Sequence, residues 1–571
     1  MYLRRNYSKE TGRTHLAIVQ GYRDAAGKSK QRTVEKIGYL DELEKEYDDP
    51  IAHFEAVAAE MDKARLSAKS VAVTIDMDSQ LERNCANRKN YGHIVFSKIY
   101  HELGVDKFLK NARRHEAFRF NTDAIMRLMV FSRLLYPGSK RAAVLNKGLF
   151  FDKFDFTLDD AYDALTHFDK VSDALQERLH KEVAERYGRE TDIVYYDVTN
   201  YYFEIDLQDD FRKKGAEKNH RKDPIVQMGL LLDRAGLPIS YKLFPGNTHD
   251  SKTLVPVLKG VKKDFGIERV VIVADKGLNC GDNISYNSDL GDGYIYSKSV
   301  RGASAGFKEW ALDGAGYGDF GGKYRYKSKI VPEATIFVTS GQDGKKKKKA
   351  VTQKWVVYYS EKYAARARHK RGEAIEKALK IIGDPAKYRC NYNRGAADYI
   401  ENLAVDKNTG EILNVGEVLV LNTQKIEEEK KYDGYNSIVT SELDDTDEHI
   451  IELYGELWRI EESFKVTKCV FEARPIYLRT KAHINAHFLI CFISLLIARI
   501  AEMRLERKYT IAKITETLRN VACSHLDRNV WLFDFANDAT DDINAVFGTD
   551  FGKKAMTLNE IRKNLGEAKK R

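Results

Sequence analysis

The stretch Thr191–Glu204 reads TDIVYYDVTNYYFE and places one acidic residue, Asp197, inside a run of β-forming residues. Apolar and aromatic residues at 193–196 precede the acid, and Thr199 and Tyr201 continue the pattern of a strand. An unpaired carboxylate is costly to bury in a packed strand. The pattern therefore predicts a strand whose aspartate binds a partner, with an ordinary structural aspartate as the alternative.

A second acidic residue ends another apolar run. Residues 270–277 read VVIVADKG, in which five apolar residues lead to Asp275. Such a run is typical of a buried strand, and α/β sheets bind their ligands at the carboxyl ends of the strands. We expect Asp275 to lie at such an end, although either aspartate alone is a weak indication of function.

The third acidic candidate is Glu461, in the stretch YGELWRIEESFKVTK that spans residues 454–468. Helical spacing puts this glutamate on one face with Ile450, Tyr454, Leu457, Phe464 and Lys468. A carboxylate inside a mostly apolar stripe needs a cation, either a basic side chain or a metal ion. Lys468 could meet a negatively charged partner on the same face. An ordinary, partly exposed glutamate is the alternative.

The order of Asp197, Asp275 and Glu461 resembles that of the DDE transposases of bacterial insertion sequences. More narrowly, the chain is similar to the IS-four group, whose third acid lies in the signature Tyr-x2-Arg-x3-Glu-x6-Lys. Tyr454, Glu461 and Lys468 match three of its four positions, and Leu457 stands where the arginine would be. Further family-like blocks are YDVTNYYFE, GNTHD (246–250), ADKG, YDG (432–434), WRIEESFK and the opening at residues 2–34.

This resemblance implies an α/β fold, with a ribonuclease-H-like mixed sheet and flanking helices. It implies two Mg²⁺ or Mn²⁺ ions, with Asp197 bridging both and Asp275 and Glu461 each holding one. Carboxylate oxygens are the ligands that these hard cations prefer. Two ions can activate a water or a DNA 3′-hydroxyl and stabilise the departing 3′-oxygen. Tyr454 and Lys468 are expected to bind phosphate at the DNA end.

The implied activity is cut-and-paste transposition of an insertion sequence. The protein would bind double-stranded DNA at terminal inverted repeats, nick the element end with water, and use the freed 3′-hydroxyl to attack target DNA. A homodimer is expected when DNA ends are synapsed, and no ATP, because no Gly-x4-Gly-Lys-Ser/Thr motif is present. A related nuclease without strand transfer and a non-catalytic DNA-binding descendant of a transposase remain alternatives.

Leu457 puts one route of the family in doubt. In relatives that pass through a DNA hairpin, the signature arginine grips a phosphate near a flipped base, which a leucine cannot do. Arg459 lies about 200° further around a helix, so it is not an obvious substitute. We therefore expect this chain not to rely on a hairpin. Trp310 and Trp355 could supply a base-stacking wedge, with core packing as the alternative.

The composition fits a protein with several domains and a polyanionic partner. The chain has 571 residues, 31% of them charged, and a formal net charge of +9. Its six cysteines show no Cys-x-x-Cys spacing, so neither a zinc site nor a disulfide framework is indicated. The opening lacks the apolar segment of a signal peptide, and the apolar stretch 488–498 is too short to cross a bilayer. We expect a cytoplasmic protein with no membrane segment.

The chain divides into six predicted parts. The first two are expected to bind DNA, and for the second both a helix-turn-helix reader and a plain helical bundle are open. The parts are a β-hairpin and helix (1–90), a helical region (91–190), the first part of the catalytic core (191–290), a mostly β insertion with one helix (291–430), the second part of the core with the Glu461 helix (431–505) and a helical tail (506–571).

Local signals add specific expectations. They predict a helix from Thr122 capped by Asn121, strands at 226–232 and 239–244 joined by a turn, and a strand at 437–440. Asp445-x-x-Glu448 is a possible capping box for the Glu461 helix.

For two further motifs the sequence allows both a functional role and a purely structural one. Lys345, Lys346, Lys347, Lys348 and Lys349 would attract DNA phosphates if they lie at an exposed hairpin tip, or they form a merely solvated loop. His249, next to Asp250, is a candidate ligand or base, or a turn histidine bonded to nearby backbone.

Overall fold

The computed structural model describes residues 1–571 apart from 24–27, 68–77, 79, 81–86, 216–222, 341–343, 385–394, 403–418, 528 and 571. The described residues form two compact units, and each is described by itself. The first comprises Met1–Glu182, Val466–Ala473 and Tyr477–Arg571, and the second comprises Val183–Lys465 and Arg474–Ile476.

Eighteen strands are present among the described residues. They are β1 Tyr2–Tyr7, β2 Thr14–Arg23, β3 Ser29–Tyr39, β4 Arg88–Asn90, β5 Ile193–Tyr202, β6 Ile225–Asp233, β7 Pro238–Pro245, β8 Val271–Ala274, β9 Gly293–Lys298, β10 Gly318–Phe320, β11 Tyr324–Ser340, β12 Lys345–Tyr359, β13 Ile400–Asn402, β14 Leu419–Leu421, β15 Tyr435–Thr440, β16 Ala522–Asp527, β17 Val530–Phe533 and β18 Ala555–Thr557.

Nineteen α-helices accompany them within the same residues. They are α1 Leu40–Leu43, α2 Pro50–Ser67, α3 His93–Glu102, α4 Val105–Ala112, α5 Thr122–Leu135, α6 Lys140–Leu145, α7 Leu158–Lys170, α8 Ser172–Tyr187, α9 Leu254–Phe265, α10 Gly281–Asp289, α11 Ala305–Leu312, α12 Glu361–Ile382, α13 Thr423–Lys430, α14 Asp447–Gly455, α15 Trp458–Lys465, α16 Lys481–Arg504, α17 Ile511–Asn520, α18 Asp538–Phe547 and α19 Leu558–Glu567.

The first unit begins with a small antiparallel sheet and continues as a helical bundle. The predicted hairpin is formed by β2 and β3, and β1 adds a third strand. The predicted helix start at Thr122 is confirmed, because the Asn121 side chain accepts a hydrogen bond from the Ala124 amide. Helices α3, α5 and α7 pack against α16, an arrangement that favours the bundle interpretation of this region.

Helix α16 is the apolar core of this bundle. By length and composition it could cross a membrane, but 94% of its most apolar window is buried inside the protein. It contains the stretch Phe488–Ala498 that the sequence marks as a buried helix. Its burial is that of a core helix, since the helices around it cover its whole circumference along that stretch.

The predicted helical tail at 506–571 is only partly helical. Helices α17, α18 and α19 are present, but β16, β17 and β18 lie between them. These strands form a four-stranded antiparallel sheet with β4, more than 400 residues earlier in the chain. The prediction was wrong here because these strands are short and because β16 has one of its partners, β4, far away in sequence.

A cluster of basic side chains is buried in the first unit. Lys140 Nζ lies 3.0 Å from Nδ1 of His487, whose Nε2 lies 3.0 Å from the Ala473 carbonyl oxygen. Arg133 donates to the Phe471 carbonyl at 2.8 Å. Burial, reinforced by the Arg133 charge, lowers the pKa of Lys140 to about 7, and burial likewise keeps His487 neutral by lowering its pKa. The cluster holds the segment 471–473 by donating to its carbonyls.

This cluster predicts a pH-dependent stability. The folded-state pKa of Lys140 lies below its value in the unfolded chain, so folding is opposed most strongly near and below pH 7 and less as the pH rises toward 10. Lys140→Met should therefore stabilise the protein at pH 7, by on the order of 3 kcal/mol, and flatten the rise in stability between pH 7 and 10. Urea unfolding at both pH values measures this. An unchanged pH slope in the variant would contradict it, and the exposed Lys513→Met is the control.

The second unit is built on one nine-stranded mixed sheet, as the predicted α/β class requires. Its strand order is β10-β11-β12-β15-β9-β8-β5-β6-β7. The pairs β5–β8 and β8–β9 are parallel, and the remaining neighbours are antiparallel. The strands predicted at 226–232, 239–244, 270–274 and 437–440 are confirmed as β6, β7, β8 and β15. Helices α9 and α10 cover the buried core on one face of the sheet.

The predicted insertion, 291–430, does not form a sheet of its own from its main strands. Strands β10, β11 and β12 continue the large sheet, because β12 pairs with β15 over six residues. Among the described residues of this region, the short pair β13–β14 stands apart, with its own apolar core against α12 and α13. Strand β9, also inside the predicted insertion, is a central strand of the sheet. The boundaries of the other domains remain predictions.

The YDG block at 432–434 forms the turn that leads into β15. Asp433 pairs with the buried Arg371 of α12. Gly434 has φ +81°, and a Cβ on it would lie 2.7 Å from the Tyr359 ring and 2.8 Å from the Ser360 carbonyl oxygen. Only glycine fits this conformation and this space, so the block has a structural role in closing β12 onto β15.

Candidate active site

Two of the three predicted acids lie side by side in the large sheet. Strands β5 and β8 run parallel, and their last paired residues are Tyr196 and Ala274. Asp197, still within β5, and Asp275, just after β8, are the next residues, so their Cα atoms lie about one strand spacing, roughly 5 Å, apart. Asp275 is exposed, and Asp197 is half-buried with its Oδ1 accepting from the Val198 amide at 2.7 Å.

The face to which Asp197 points follows from its neighbour two residues earlier. The phenol of Tyr195 is close enough to Arg459 and Glu456 for their charges to act on its pKa. Tyr195 therefore faces the segment between α14 and α15. Since side chains alternate along a strand, Asp197 faces the same side, and α15 packs against β5 there.

A serine and a tyrosine extend the site from Asp275. On the next strand Tyr296 pairs with Ala274, which places Ser297 beside Asp275. The Ser297 hydroxyl donates to Asp275 Oδ1 at 3.2 Å and is also hydrogen-bonded to the Tyr454 hydroxyl. Sequence reasoning identified Tyr454 but missed Ser297, because its position depends on strand register and no sequence motif marks it.

Glu461 approaches this group, although not as predicted. Burial, together with the negative charges of Asp275 and Glu461, raises the pKa of the Tyr454 phenol to about 12. Tyr454 therefore stands within electrostatic reach of both acids. The remaining acid, Asp197, lies on β5, against which the Glu461 helix α15 packs.

The single helical stripe predicted around Glu461 is wrong. Helix α14 ends at Gly455 and α15 begins at Trp458, with the i→i+3 hydrogen bonds Leu457 N to Tyr454 O and Ile460 N to Leu457 O between them, both 3.2 Å. This tighter turn shifts the helical phase. Glu461 is exposed, and the buried residues of α15 are Ile460, Ser463 and Phe464. The glutamate therefore costs no desolvation and is free to bind a ligand.

Helix α14 is fixed to the sheet by charged contacts at its first turn. Its N-cap is Thr446, whose side chain accepts from the His449 amide, so the predicted Asp445–Glu448 capping box is wrong. Lys354 Nζ lies 2.7 Å from the Asp447 carboxylate and donates to the Asp445 carbonyl at 2.6 Å. These contacts set where Tyr454, two turns along the helix, meets Ser297.

The carboxylates of Asp197, Asp275 and Glu461 are suitable ligands for a hard divalent cation, but they do not form a closed binding site. Carboxylates on neighbouring strands offer the oxygens that such ions take, and few protein ligands are needed because the ions keep water and phosphate oxygens. Within the part of the chain that the structure describes, no three His, Cys, Asp or Glu side chains are close enough together to hold an ion. The ligand roles of Asp197, Asp275 and Glu461 therefore remain predictions.

Lys468 belongs to the other compact unit. It lies in a π-helical turn, Val466–Val470, and is half-buried. Its predicted role in binding phosphate remains a prediction.

The lysine run follows the turn between β11 and β12. Lys345–Lys349 open β12 and pair with Ser340–Ile336 of β11, so the predicted hairpin is confirmed. Lys345, Lys346, Lys347 and Lys348 are exposed. Lys349 differs, since its Nζ donates to Asp289 at 2.7 Å and to Ser285 at 2.9 Å on α10. It holds the hairpin to α10, and the first four lysines are the candidates for DNA contact.

The five other residues considered from the sequence, His249, Trp310, Trp355, Leu457 and Arg459, are engaged in local structure. His249 Nδ1 lies 2.8 Å from the Ser251 hydroxyl and caps a short 3-10 turn, as the purely structural interpretation predicts. Trp310 and Trp355 are half-buried and pack with Phe307. Leu457 is 8% exposed, and Arg459 is held by Glu456 and by the Ala235 carbonyl at 3.0 Å. Arg459 is thus engaged within the fold.

Comparison with known protein families gives two matches. Residues 3–70 match the N-terminal domain of IS1634 family transposases, and residues 189–284 match a transposase DDE domain. The second match contains Asp197 and Asp275 and ends before Glu461. No curated protein sequence matches the chain.

Among solved structures, one similar chain is the Mos1 transposase in a paired-end complex with the left transposon end. It is 10% identical, with a TM-score of 0.14, over 42% of this chain and 66% of that one, just under two thirds of its length. A TM-score this low does not indicate a shared fold. The two family matches, in separate parts of the chain, support an insertion-sequence transposase with a DDE domain.

Proposed function

We propose that this protein is the transposase of an insertion sequence, which binds the terminal inverted repeats and carries out metal-dependent DNA cleavage and strand transfer. The observation that carries the proposal is that Asp197, inside β5, and Asp275, just after the end of β8, both follow the last residue pair of these parallel strands. Ser297 is hydrogen-bonded to Asp275 and Tyr454, and Glu461 is close enough to Tyr454 to act on its pKa. The DDE match over residues 189–284 supports it. The proposal extends to a ribonuclease-H-like core of the IS-four type.

In the proposed mechanism, Asp197, Asp275 and Glu461 would hold two Mg²⁺ or Mn²⁺ ions. When bound, such ions activate a water or a 3′-hydroxyl and stabilise the leaving 3′-oxygen. The Ser297 hydroxyl orients the Asp275 carboxylate by donating to one of its oxygens. This leaves the other oxygen of Asp275 for a ligand.

Tyr454 is proposed to contact the DNA end as a neutral phenol. With a pKa of about 12 the phenol stays protonated at neutral pH. It can therefore lie against the DNA end without adding a third negative charge beside Asp275 and Glu461. Lys468 is proposed to meet a phosphate.

The proposed partner is double-stranded DNA, both the element ends and the target. We propose a homodimer in the synapsed complex, with each chain acting on one end, and no requirement for ATP. The bond broken and the bond formed in strand transfer are both phosphodiesters, so transesterification needs no nucleotide.

The direct test uses the DNA that flanks the gene. A duplex with the flanking repeat, incubated with the chain and Mg²⁺, should yield ends with a free 3′-hydroxyl and then joined products with a target plasmid. Cleavage without joining would instead identify a nuclease. Repeat binding that is indifferent to metal, with no cleavage, would identify a non-catalytic DNA-binding protein.

The exposed lysines after the hairpin turn give a separate prediction. Changing Lys345, Lys346, Lys347 and Lys348 to Gln should weaken DNA binding and flatten its salt dependence, by up to about 0.9 log units per lost phosphate contact. Sequence preference should stay the same, since lysine–phosphate contacts do not read bases. Binding measured across a salt series tests this.

A matched control removes the same number of charges elsewhere. Lys181, Lys430, Lys508 and Lys513 each pair with a carboxylate at 2.5 to 3.2 Å. If their Gln variant changes the salt slope as much as the hairpin variant does, the effect is one of net charge and the hairpin has no special contact.

Leu457 leads to a prediction about the second strand. Because Leu457 is buried and Arg459 is engaged by Glu456 and Ala235, neither offers a grip for a flipped base. We expect no abundant hairpin intermediate on denaturing gels of cleavage reactions. Accumulation of a hairpin with the natural chain would contradict this, and a pre-formed hairpin end provides the mobility marker.

A further inference from the structure

The face of the large sheet opposite the three acids carries a cluster of basic and aromatic side chains. Ser297 faces the acids, and the next residue, Lys298, faces the other side, since side chains alternate along β9. On that side Lys298 lies with Lys327 and Lys329 of β11, beside the ring of Trp355 on β12 and of Trp310 on α11.

The ammonium groups in this cluster lie against ring faces. Lys298 Nζ is 4.3 Å from the centre of the Trp355 ring and 4.7 Å from that of Phe307. Lys329 Nζ is 4.4 Å from the centre of the Trp310 ring and 5.3 Å from that of Trp355. One indole thus lies within cation–π range of two lysines, a geometry that orders both side chains before any ligand arrives.

Like charges meet here, and the one carboxylate whose charge acts on Lys327 is that of Asp313. Lys327 donates to the carbonyls of Asp313 and Ala315 at 2.6 and 3.2 Å. These neutral acceptors satisfy hydrogen bonds of the ammonium group without neutralising its charge. Within the described residues, Lys298 and Lys329 form no ion pair with any Asp or Glu. Burial and the neighbouring Lys329 charge lower the pKa of Lys298. An anion placed between the lysines would relieve this repulsion.

We propose that Lys298 and Lys329, ordered by Trp355 and Trp310 and reinforced by the charge of Lys327, bind phosphates of a DNA backbone on the sheet face opposite the acids. This inference rests on the proposed function, which supplies DNA as the polyanion. Because Ser297 and Lys298 point to opposite faces, the bound phosphates differ from the one presented to Asp275. The surface is therefore a second DNA contact, and it reads no bases.

The test compares salt dependence of binding for the full chain, without divalent metal. Lys298→Gln with Lys329→Gln should reduce the slope of log affinity against log salt by about 1.8, since each lost phosphate contact removes about 0.9. Lys298→Arg with Lys329→Arg should keep the natural slope, which separates lost charge from lost folding. Lys430→Gln with Lys508→Gln, whose lysines pair with Glu427 and Asp542, is the charge-matched control.

A second readout locates the contact. DNA should protect the Lys298 and Lys329 amines from acetylation, measured by mass spectrometry of the natural chain. An unchanged salt slope in the Gln variant, or protection by inorganic phosphate alone and not by DNA, would overturn the inference. Natural protein that cleaves repeat ends while the Gln variant keeps its slope would reject this contact and leave the proposed function standing. If the natural protein neither binds nor cleaves repeat DNA, the proposed function itself fails.

Discussion

Asp197→Asn, Asp275→Asn and Glu461→Gln should each reduce Mg²⁺-dependent cleavage of the element end by on the order of a thousandfold or more. Metal ions supply several kcal/mol of charge stabilisation in such reactions, and each 1.36 kcal/mol changes a rate about tenfold. The amides keep the shape of the side chains while losing their negative charge. Binding to the repeat should therefore persist in all three variants.

Two neighbouring acids provide matched controls. Glu462 follows Glu461 in α15, and Asp192 lies just before β5, where it is exposed and pairs with Arg234 at 2.9 Å. Glu462→Gln and Asp192→Asn should cleave at nearly the natural rate. Single-turnover cleavage of a labelled repeat end measures all five variants. Near-normal cleavage by any of the three amide variants would remove that residue from the site.

The two aspartates of the site could be predicted from the sequence, whereas a hydroxyl that contacts one of them could not. Asp197 and Asp275 were found because each interrupts or ends a strand of apolar residues, a signal that is local in the chain. Their side-by-side position follows once the strands are known to be parallel neighbours. Ser297 could not be found in this way, because its contact with Asp275 depends on the register between β8 and β9.

Glu461 shows a different limit. The spacing of apolar residues assumed one regular helix, and two i→i+3 hydrogen bonds around Leu457 broke the phase. The predicted burial of Glu461 in an apolar stripe is therefore wrong, since its side chain is exposed. Its role as a site residue remains a prediction. The resemblance to a family identified Glu461 as a candidate, whereas the periodicity of apolar residues wrongly predicted that its side chain is buried.

Long-range pairing was the least predictable part of the fold. Strands β10–β12 were expected in an insertion, and they continue the large sheet through β15 because β12 lies far from β15 in sequence but beside it in space. Similarly, β16 pairs with β4, more than 400 residues earlier in the chain, while β17 and β18 follow β16 in the same sheet. The Asn121 cap, in contrast, was predicted correctly, because a cap is decided by three or four neighbouring residues.

The second large effect expected concerns stability. Asp233→Ala should lower the free energy of unfolding by about 3 to 5 kcal/mol, the usual cost of leaving one partner of a buried ion pair alone. Asp233 is fully buried, 3.0 Å from Arg189 Nε, and accepts from the Leu237 amide at 2.8 Å. Arg189 also donates to the Pro238 carbonyl at 2.8 Å. The ion pair thus holds the segment that precedes β5 against the turn between β6 and β7.

The attraction within this pair does not by itself account for the effect. Desolvation raises the pKa of Asp233 and lowers that of Arg189, so for both groups burial outweighs the partner's charge. Arg189→Met with Asp233→Leu should therefore recover part of the loss, short of full recovery because the Leu237 amide stays unpaired. Urea unfolding measures each variant. The exposed pair Asp192–Arg234 is the control, and Asp192→Ala should cost less than about 1 kcal/mol. Equal losses for Asp233→Ala and Asp192→Ala would show that burial of the pair has no energetic consequence and that β5, with Asp197 on it, is positioned by its strand pairing alone.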